Sequence, residues 1–142
     1  IAAFNVNGLK IIGVTSDQNV SNGIRIQNCD NYIVENNTLT NNALGNFFEI
    51  VSGNPTKIIR GNIGHKTEAN GTASIPAGST FVDVSHGLNI TPDIKNISVT
   101  PTNNLGNATK YFISNVTATS FRINVNADPG ATTAEFVWHI VA

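Results

Sequence analysis

Four carboxylates in the first half of the chain are the natural candidates for chemistry: Asp17, Asp30, Glu35 and Glu49. Polysaccharide cleavage needs two paired carboxylates, or a carboxylate–calcium site with a basic residue nearby. Asp30 and Glu35 are separated by an expected corner of the chain, so the sequence leaves their relative orientation open. Glu35 with Lys57 or Arg60 is better explained as a solvated ion pair, which contributes about 0–1 kcal/mol. We therefore predict no catalytic residue in this chain.

Histidine and cysteine form no recognisable metal or nucleophile pattern. His65, His86 and His139 fall in an expected joint, turn and strand, without the short spacing typical of metal ligands. His86 precedes Gly87 and is predicted to help set a turn, while His139 is a candidate for contacts at a subunit interface. Cys29 is the single cysteine, so an internal disulfide is excluded, and we expect it to pack as a small apolar side chain. We predict neither a metal nor a cofactor.

Sugar recognition requires an aromatic side chain next to hydrogen-bonding groups, and the second half of the chain offers both. Tyr111 is the candidate exposed aromatic, whereas Trp138, the sole tryptophan, is expected in the core because of its apolar neighbours at alternating positions. Three polar residues on predicted strand faces complete the candidate carbohydrate contacts: Asp83, Arg122 and Asn124.

Short apolar steps recur along the first part of the chain and indicate stacked turns of β structure. Three of them are KIIG at 10–13, IVENN at 33–37 and KIIR at 57–60. The spacings from Ile11 to Ile33 and from Ile33 to Ile58 are 22 and 25 residues, inside the roughly 20–50-residue period of repeat proteins. Unequal spacing favours a parallel β-helix, whose turns vary in length. Asn suits its corners because it tolerates left-handed backbone geometry and bonds to its own backbone.

Stacked turns would place equivalent side chains above one another at about 4.8 Å. Asn37 and Asn62 are therefore candidates for an Asn ladder. The residues predicted to form the faces of these turns are Leu9, Ile11, Ile24, Ile26, Ile33, Val34, Phe48, Ile50, Ile58 and Ile59. We assign residues 1–64 to the β-helical part; a few irregular strands without a common register are the alternative.

A polar segment, GHKTEANG at 64–71, lacks apolar periodicity, and we predict a linker at 65–71. Residues 72–142 contain several short strands separated by turn signals such as IPAG at 75–78 and DPG at 128–130. This pattern favours a small antiparallel β-sandwich. The chain is thus predicted to be all-β, with terminal rungs of a right-handed parallel β-helix followed by a sandwich.

The last predicted strand is apolar on both faces. Phe136, Trp138 and Ile140 alternate on one face. The other face carries Val137, His139 and Val141. A sandwich of about 70 residues has little interior to offer, so we predict a subunit interface on this second face. A central strand covered within one monomer is the alternative.

Composition narrows the class of protein. Charged residues make up 12% of the chain and the net charge is −1, so nothing indicates binding to nucleic acid. No apolar run approaches the roughly 18 residues of a membrane span, so we predict no membrane insertion. An uncharged polar surface fits an extracellular or virion protein. The chain begins at Ile1 and contains no Met, and we expect it to be a piece of a longer protein.

With these residues in view, the first part resembles the last rungs of the pectate-lyase-like, right-handed β-helices of phage tailspikes and appendages. The second part is similar to a C-terminal module of phage and prophage tail proteins. The matching segments are IPAGS at 75–79, VSHGL at 84–88, TP at 91–92, VTP at 99–101, NLGNATKYF at 104–112 and TATSF at 117–121. The HGL and TP segments also resemble H-type lectins, six-stranded sandwiches that trimerise and bind sugars between subunits.

The resemblance covers nearly the whole chain and implies a homotrimer at the distal end of a virion tail spike, where it would bind host cell-surface polysaccharide. We expect a non-catalytic module that caps the β-helix and holds three chains together. Two alternatives stay open. The fragment could contribute to a polysaccharide depolymerase site between subunits, or it could be an intramolecular assembly chaperone.

Overall fold

The computed structural model describes residues 1–53, 55–88 and 90–142. Within these residues the protein is all-β, as predicted, with fourteen strands and one turn of 3-10 helix at Ile94–Asn96. No helix in the described ranges is long and apolar enough to cross a membrane. The chain divides into two compact units, Ile1–Lys66 and Thr67–Ala142.

The first unit consists of short strands that pair in parallel. Its strands are β1 (Ala2–Phe4), β2 (Lys10–Ile12), β3 (Thr15–Asp17), β4 (Ile24–Gln27), β5 (Tyr32–Glu35), β6 (Thr38–Thr40), β7 (Phe47–Ile50) and β8 (Lys57–Arg60). They form three sheets in the orders β1-β4-β7, β2-β5-β8 and β3-β6. Successive strands of the chain therefore enter successive sheets. The third repeat adds β7 and β8 to the first two sheets, and an isolated bridge from Thr38 to Ile63 continues the third.

The register of the sheets corrects the predicted repeat by one residue. Ile11 pairs with Val34, and Val34 with Ile59, so the spacings are 23 and 25 residues where we expected 22 and 25. Ile33 instead lies beside Ile58 on the outward face. A one-residue shift exchanges the two faces of a strand, and this decides which member of each apolar doublet is buried.

Of the ten residues predicted to form the faces of the turns, six lie in or against the buried core. Four predicted residues lie outside the core on the outward face: Ile33, Phe48, Ile50 and Ile58. The core cluster of buried residues is Ala3, Ile11, Ile24, Ile26, Cys29, Tyr32, Val34 and Leu39, with Leu9, Val14, Phe47 and Ile59 packed against it. Cys29 is buried, as predicted.

Left-handed corners recur at the same spacing as the strands. Asn5 and Asn28 have φ of 56° and 52°. A second column holds Gly13, Asn36 and Gly61, with φ of 67°, 54° and 63°. Asn and Gly are the residues that adopt this conformation at low cost. The Asn-rich breaks in the sequence are therefore the bends between sheets.

The predicted Asn ladder is confirmed. Asn37 Nδ2 donates to Asn62 Oδ1 at 2.9 Å and to the Ile11 carbonyl at 3.0 Å. Asn37 Oδ1 accepts from the Val14 N–H at 2.9 Å, and Asn62 Nδ2 donates to the Val34 carbonyl at 2.9 Å. Both side chains are buried. The ladder satisfies backbone groups that the bends remove from the sheets.

The interior of the first unit becomes charged at its last repeat. Glu49 occupies the position beside Ile26, and Lys57 the position beside Tyr32. Lys57 Nζ lies 2.7 Å from Glu49 Oε2. The His65 ring stacks on Phe47 with centroids 4.5 Å apart. At these positions an ion pair and a polar ring replace the apolar residues of the earlier strands.

The second unit consists of strands that pair antiparallel. Its strands are β9 (Glu68–Ile75), β10 (Phe81–Ser85), β11 (Ile97–Pro101), β12 (Tyr111–Ser114), β13 (Ser120–Val125) and β14 (Ala134–Val141). They form two sheets, β11-β14-β9 and β10-β13-β12. Alternate residues of both central strands, β13 and β14, are buried, and the two sheets share one apolar core.

Trp138 belongs to that core, as predicted. It is 8% exposed, meets Phe121 edge-on at 5.6 Å between centroids, and donates its indole N–H to the Thr72 carbonyl at 3.3 Å. Gly71 makes room for the ring, because a Cβ there would lie 2.8 Å from Trp138 Cζ2.

The predicted linker differs from the structure. Glu68–Ile75 is a strand paired with β14 along its whole length, and the division between the units falls after Lys66. The segment looked aperiodic because its inward positions carry small residues, Ala69, Gly71 and Ala73, instead of large apolar ones. Small residues are needed there to accommodate the side chains of β14.

Candidate functional site

The carboxylates of the first unit all have donors already. Arg60 Nε lies 2.6 Å from Glu35 Oε1, which confirms one of the two predicted ion pairs. The other alternative, Lys57 with Glu35, is wrong because Lys57 pairs with Glu49. Glu35 pairs with Arg60 because the register of the sheet places Arg60 directly beside Glu35 on the next strand.

The two aspartates hold turns together. Asp30 Oδ1 accepts from the backbone N–H of Asn31 at 2.9 Å and of Thr56 at 3.2 Å. Asp17 Oδ1 accepts from Thr40 Oγ1 at 2.7 Å. Across the described parts of the chain, no group of three or more His, Cys, Asp and Glu side chains could hold a metal ion.

His86 has a structural role in the second unit. Its ring is buried, the Leu88 N–H donates to Nδ1 at 3.2 Å, and Nε2 lies 3.2 Å from the Thr117 carbonyl. This pair of contacts selects the neutral tautomer that carries its proton on Nε2. The prediction that His86 helps set the turn before Gly87 is confirmed.

The outward face of the sheet β10-β13-β12 brings together three of the four predicted carbohydrate contacts. Phe81, Asn124 and Phe112 form one row across the three strands, and the next row is Asp83, Arg122 and Ser114. Phe81 is 45% and Phe112 is 57% exposed. Two uncovered aromatic rings therefore flank a polar centre, and we call these six residues the aromatic–polar face.

Arg122 is fixed in place on this face. Its Nε and Nη2 donate to the two oxygens of Asp83 at 2.7 and 2.8 Å, and its guanidinium carbon lies 3.8 Å from the centroid of Phe81. The hydrogen bonds from Arg122 lower the pKa of Asp83 and raise that of Arg122. This two-pronged pairing is the most geometrically defined that a carboxylate can make. Among the described residues Nη1 has no partner, so it is free to donate to a ligand.

Asn124 lies between the two phenylalanines. Its Nδ2 donates to Ser114 Oγ at 2.9 Å and to the Phe112 carbonyl at 3.3 Å. Both donors of the amide group are thus occupied, and among the described residues Oδ1 accepts no hydrogen bond. The aromatic–polar face therefore offers a fixed acceptor on Asn124 and a fixed donor on Arg122.

Tyr111 is not part of this face. Its hydroxyl donates to the Val99 carbonyl at 3.1 Å, and its ring packs against Phe136 with centroids 5.6 Å apart. Neighbouring residues of a strand point to opposite faces, so Phe112 is the outward aromatic of β12. Phe81 and Phe112 were missed in the sequence, although each stands two residues from a polar outward position.

The three residues predicted at a subunit interface share the outward face of β14. Val137 and Val141 are 43% and 44% exposed, and His139 is exposed between them. Val137 is flanked by Thr100 and Thr72 on the adjoining strands. β14 is the central strand of its sheet, as the alternative predicts, but Val137 and Val141 on its outward face remain exposed within the described residues.

The sequence matches no protein-family model and no curated protein. Of the surfaces in the second unit, the aromatic–polar face combines exposed rings, a fixed ion pair and unused hydrogen-bonding atoms.

Proposed function

We propose that this chain is the C-terminal, non-catalytic part of a trimeric phage tailspike or appendage that binds host cell-surface polysaccharide. In this proposal the first unit is the last rungs of a right-handed parallel β-helix. The second unit is a small antiparallel β-sandwich that carries the glycan site and holds the trimer together.

The repeat geometry supports the β-helical assignment. Parallel strands recur in three sheets, left-handed corners recur with them, and the Asn37–Asn62 ladder joins consecutive turns. A stack of this kind exposes an apolar interior at its end, which invites aggregation unless it is covered. The Glu49–Lys57 pair and His65 supply polar groups at that position.

One observation carries the glycan-binding proposal: the row Phe81–Asn124–Phe112 lies beside the Arg122–Asp83 pair. Aromatic rings stack on the apolar faces of sugars, while fixed donors and acceptors select hydroxyl positions. A flat, exposed face of this size gives weak binding per site. Three linked copies on one spike would raise the overall avidity by orders of magnitude.

The trimer proposal has separate support. Two half-exposed valines on a central strand leave apolar surface uncovered on each copy, in the row Thr100–Val137–Thr72 and around Val141. A homotrimer of the 15.0 kDa chain would have a mass of about 45 kDa. Light scattering of the purified chain measures it, and a single-chain mass would contradict this part of the proposal.

Incubation of the chain with the host's capsular or cell-wall polysaccharide tests the glycan proposal. We expect the chain to bind the polymer without shortening it. Size-exclusion chromatography measures the length of the polymer before and after incubation. Phe112→Ala should weaken binding by about 10-fold, whereas Leu44→Ala, which changes an even more exposed apolar residue in the first unit, should not.

Shortening of the polymer would favour the depolymerase alternative instead. Each carboxylate of the first unit has at least one oxygen that accepts from a cation, a hydroxyl or a backbone N–H, while Glu49 Oε1 is buried without a partner among the described residues. Absence of binding would contradict the proposal.

A further inference from the structure

The outward positions of the sheet β10-β13-β12 carry one cation and one anion, Arg122 and Asp83. Arg122 lies beside Asp83 in register, and its Nε and Nη2 donate to the two carboxylate oxygens at 2.7 and 2.8 Å. The remaining outward positions are aromatic or polar without charge: Phe81, Ser85, Phe112, Ser114, Ser120 and Asn124. The formal charges on the outward side of these three strands therefore cancel.

The anion of this pair is its more exposed member. The side chain of Asp83 is 55% exposed and that of Arg122 is 27% exposed. The guanidinium is covered on one side by Phe81, because its carbon atom lies 3.8 Å from the centroid of that ring. A ligand that arrives from solvent thus meets the carboxylate at least as readily as the cation that the carboxylate neutralises.

The unused hydrogen-bonding atoms of the aromatic–polar face suit a hydroxyl group better than an anion. Among the described residues Asn124 Oδ1 accepts no hydrogen bond and Arg122 Nη1 donates none. A sugar hydroxyl can donate to the first atom and accept from the second. A carboxylate or a phosphodiester can only accept, so it would leave Asn124 Oδ1 without a donor and bring a second negative charge close to Asp83.

From these observations we propose that Asp83 makes the aromatic–polar face selective for neutral over anionic polysaccharide. The selectivity rests on the proposed glycan-binding function, to which it adds the class of polymer that is bound and the residue that rejects the other class. Asp83 neutralises Arg122, which would otherwise attract an oxyanion. It also repels an anionic group directly, since like charges brought together disfavour the wrong partner.

Matched pairs of oligosaccharides test this selectivity. The neutral probes are cellulose, amylose and mannan oligomers of equal length, and each anionic probe is the same oligomer with its primary alcohols oxidised to carboxylates. Each probe is titrated into the full 142-residue chain while NMR follows the side-chain signals of Phe112 and Asn124. We expect the wild type to bind at least one neutral probe, and to bind it about 10-fold more tightly than its oxidised partner.

Asp83→Asn should reverse part of this preference. The variant keeps the shape of the side chain but leaves the charge of Arg122 without a counter-charge, so the ratio of oxidised to neutral affinity should rise by about 10-fold. Most of this gain should be lost when Arg122→Gln is added to Asp83→Asn, because the face then carries no charge. Glu135→Gln is the matched control, since it removes an acid from an exposed position of the other sheet, and it should change the ratio by less than about 3-fold.

The outcomes separate this selectivity from glycan binding itself. Equal or tighter binding of an oxidised probe by the wild type at Phe112 and Asn124 would overturn the selectivity and leave glycan binding intact. So would an unchanged ratio in Asp83→Asn whose amide spectrum away from the face matches the wild type, or a gain that persists in the double variant. The comparison of probes on the wild type does not depend on how the variants fold. A wild type that binds no probe of either class would contradict glycan binding and the selectivity together.

Discussion

Replacement of Asn37 by Ala should destabilise the first unit severely. The side chain is 1% exposed and makes three hydrogen bonds, to the Ile11 carbonyl, the Val14 N–H and Asn62 Oδ1. Ala would leave the Ile11 carbonyl and the Val14 N–H without this partner, whereas Asn62 Oδ1 would keep the backbone N–H of residue 37, at 3.0 Å. Each such loss costs about 1–3 kcal/mol, so we expect a decrease in the free energy of unfolding of about 2–5 kcal/mol.

Native-state hydrogen exchange measures the loss of stability in Asn37→Ala and shows which strands it affects. Amides of β4 and β5, such as those of Ile24 and Val34, should lose protection in Asn37→Ala. Asn7→Ala is the matched control, because Asn7 is exposed and accepts one hydrogen bond, from Asn31 Nδ2 at 2.9 Å. Asn7→Ala should lower the free energy of unfolding by less than about 1 kcal/mol. If both variants changed stability equally, the ladder would not be the element that joins the turns.

Three further predictions concern pH and packing. Burial lowers the pKa of His65 below its ordinary 6.5, so His65 binds a proton at a higher pH in the unfolded chain than in the folded one. The melting temperature should therefore fall as the pH drops below about 6.5. His65→Phe should remove this dependence of the melting temperature on pH. Two backbone N–H groups donate to Asp128 and lower its pKa from 3.8, so stability should fall as the pH drops below this value, less steeply in Asp128→Asn. Gly71→Ala should cost about 1–3 kcal/mol in urea unfolding and alter the fluorescence of Trp138, whereas Ser74→Ala, outward on the same strand, should do neither.

The recurrence of short parallel strands could be predicted because the residues that end each strand are local signals. Asn and Gly mark the bends, and the apolar steps recur with them. The position of Asn37 and Asn62 after an apolar step was enough to place both in one ladder. The choice between Ile33 and Val34 was not local, since both are apolar and either could face inward. The corner at Asn36 and the pairing with Ile11 and Ile59 decide it.

The candidate site was predicted only in part for a related reason. Arg122 and Asn124 alternate with buried Phe121 and Ile123, so the sequence shows their outward orientation. Phe81 and Phe112 resemble core residues because an apolar ring gives no sign in the sequence that it lies in solvent. Tyr111 was chosen for its hydroxyl, which the structure shows bonded to a backbone carbonyl.

We propose above all that the aromatic–polar face of the sheet β10-β13-β12 binds host polysaccharide. Saturation-transfer and chemical-shift NMR with oligosaccharides from the host polymer tests it most directly. We predict transfer to the ring protons of Phe81 and Phe112, with the Asn124 side-chain amide shifting in the same titration. Signals confined to other surfaces of the second unit, with these rings unaffected at saturation, would contradict the account.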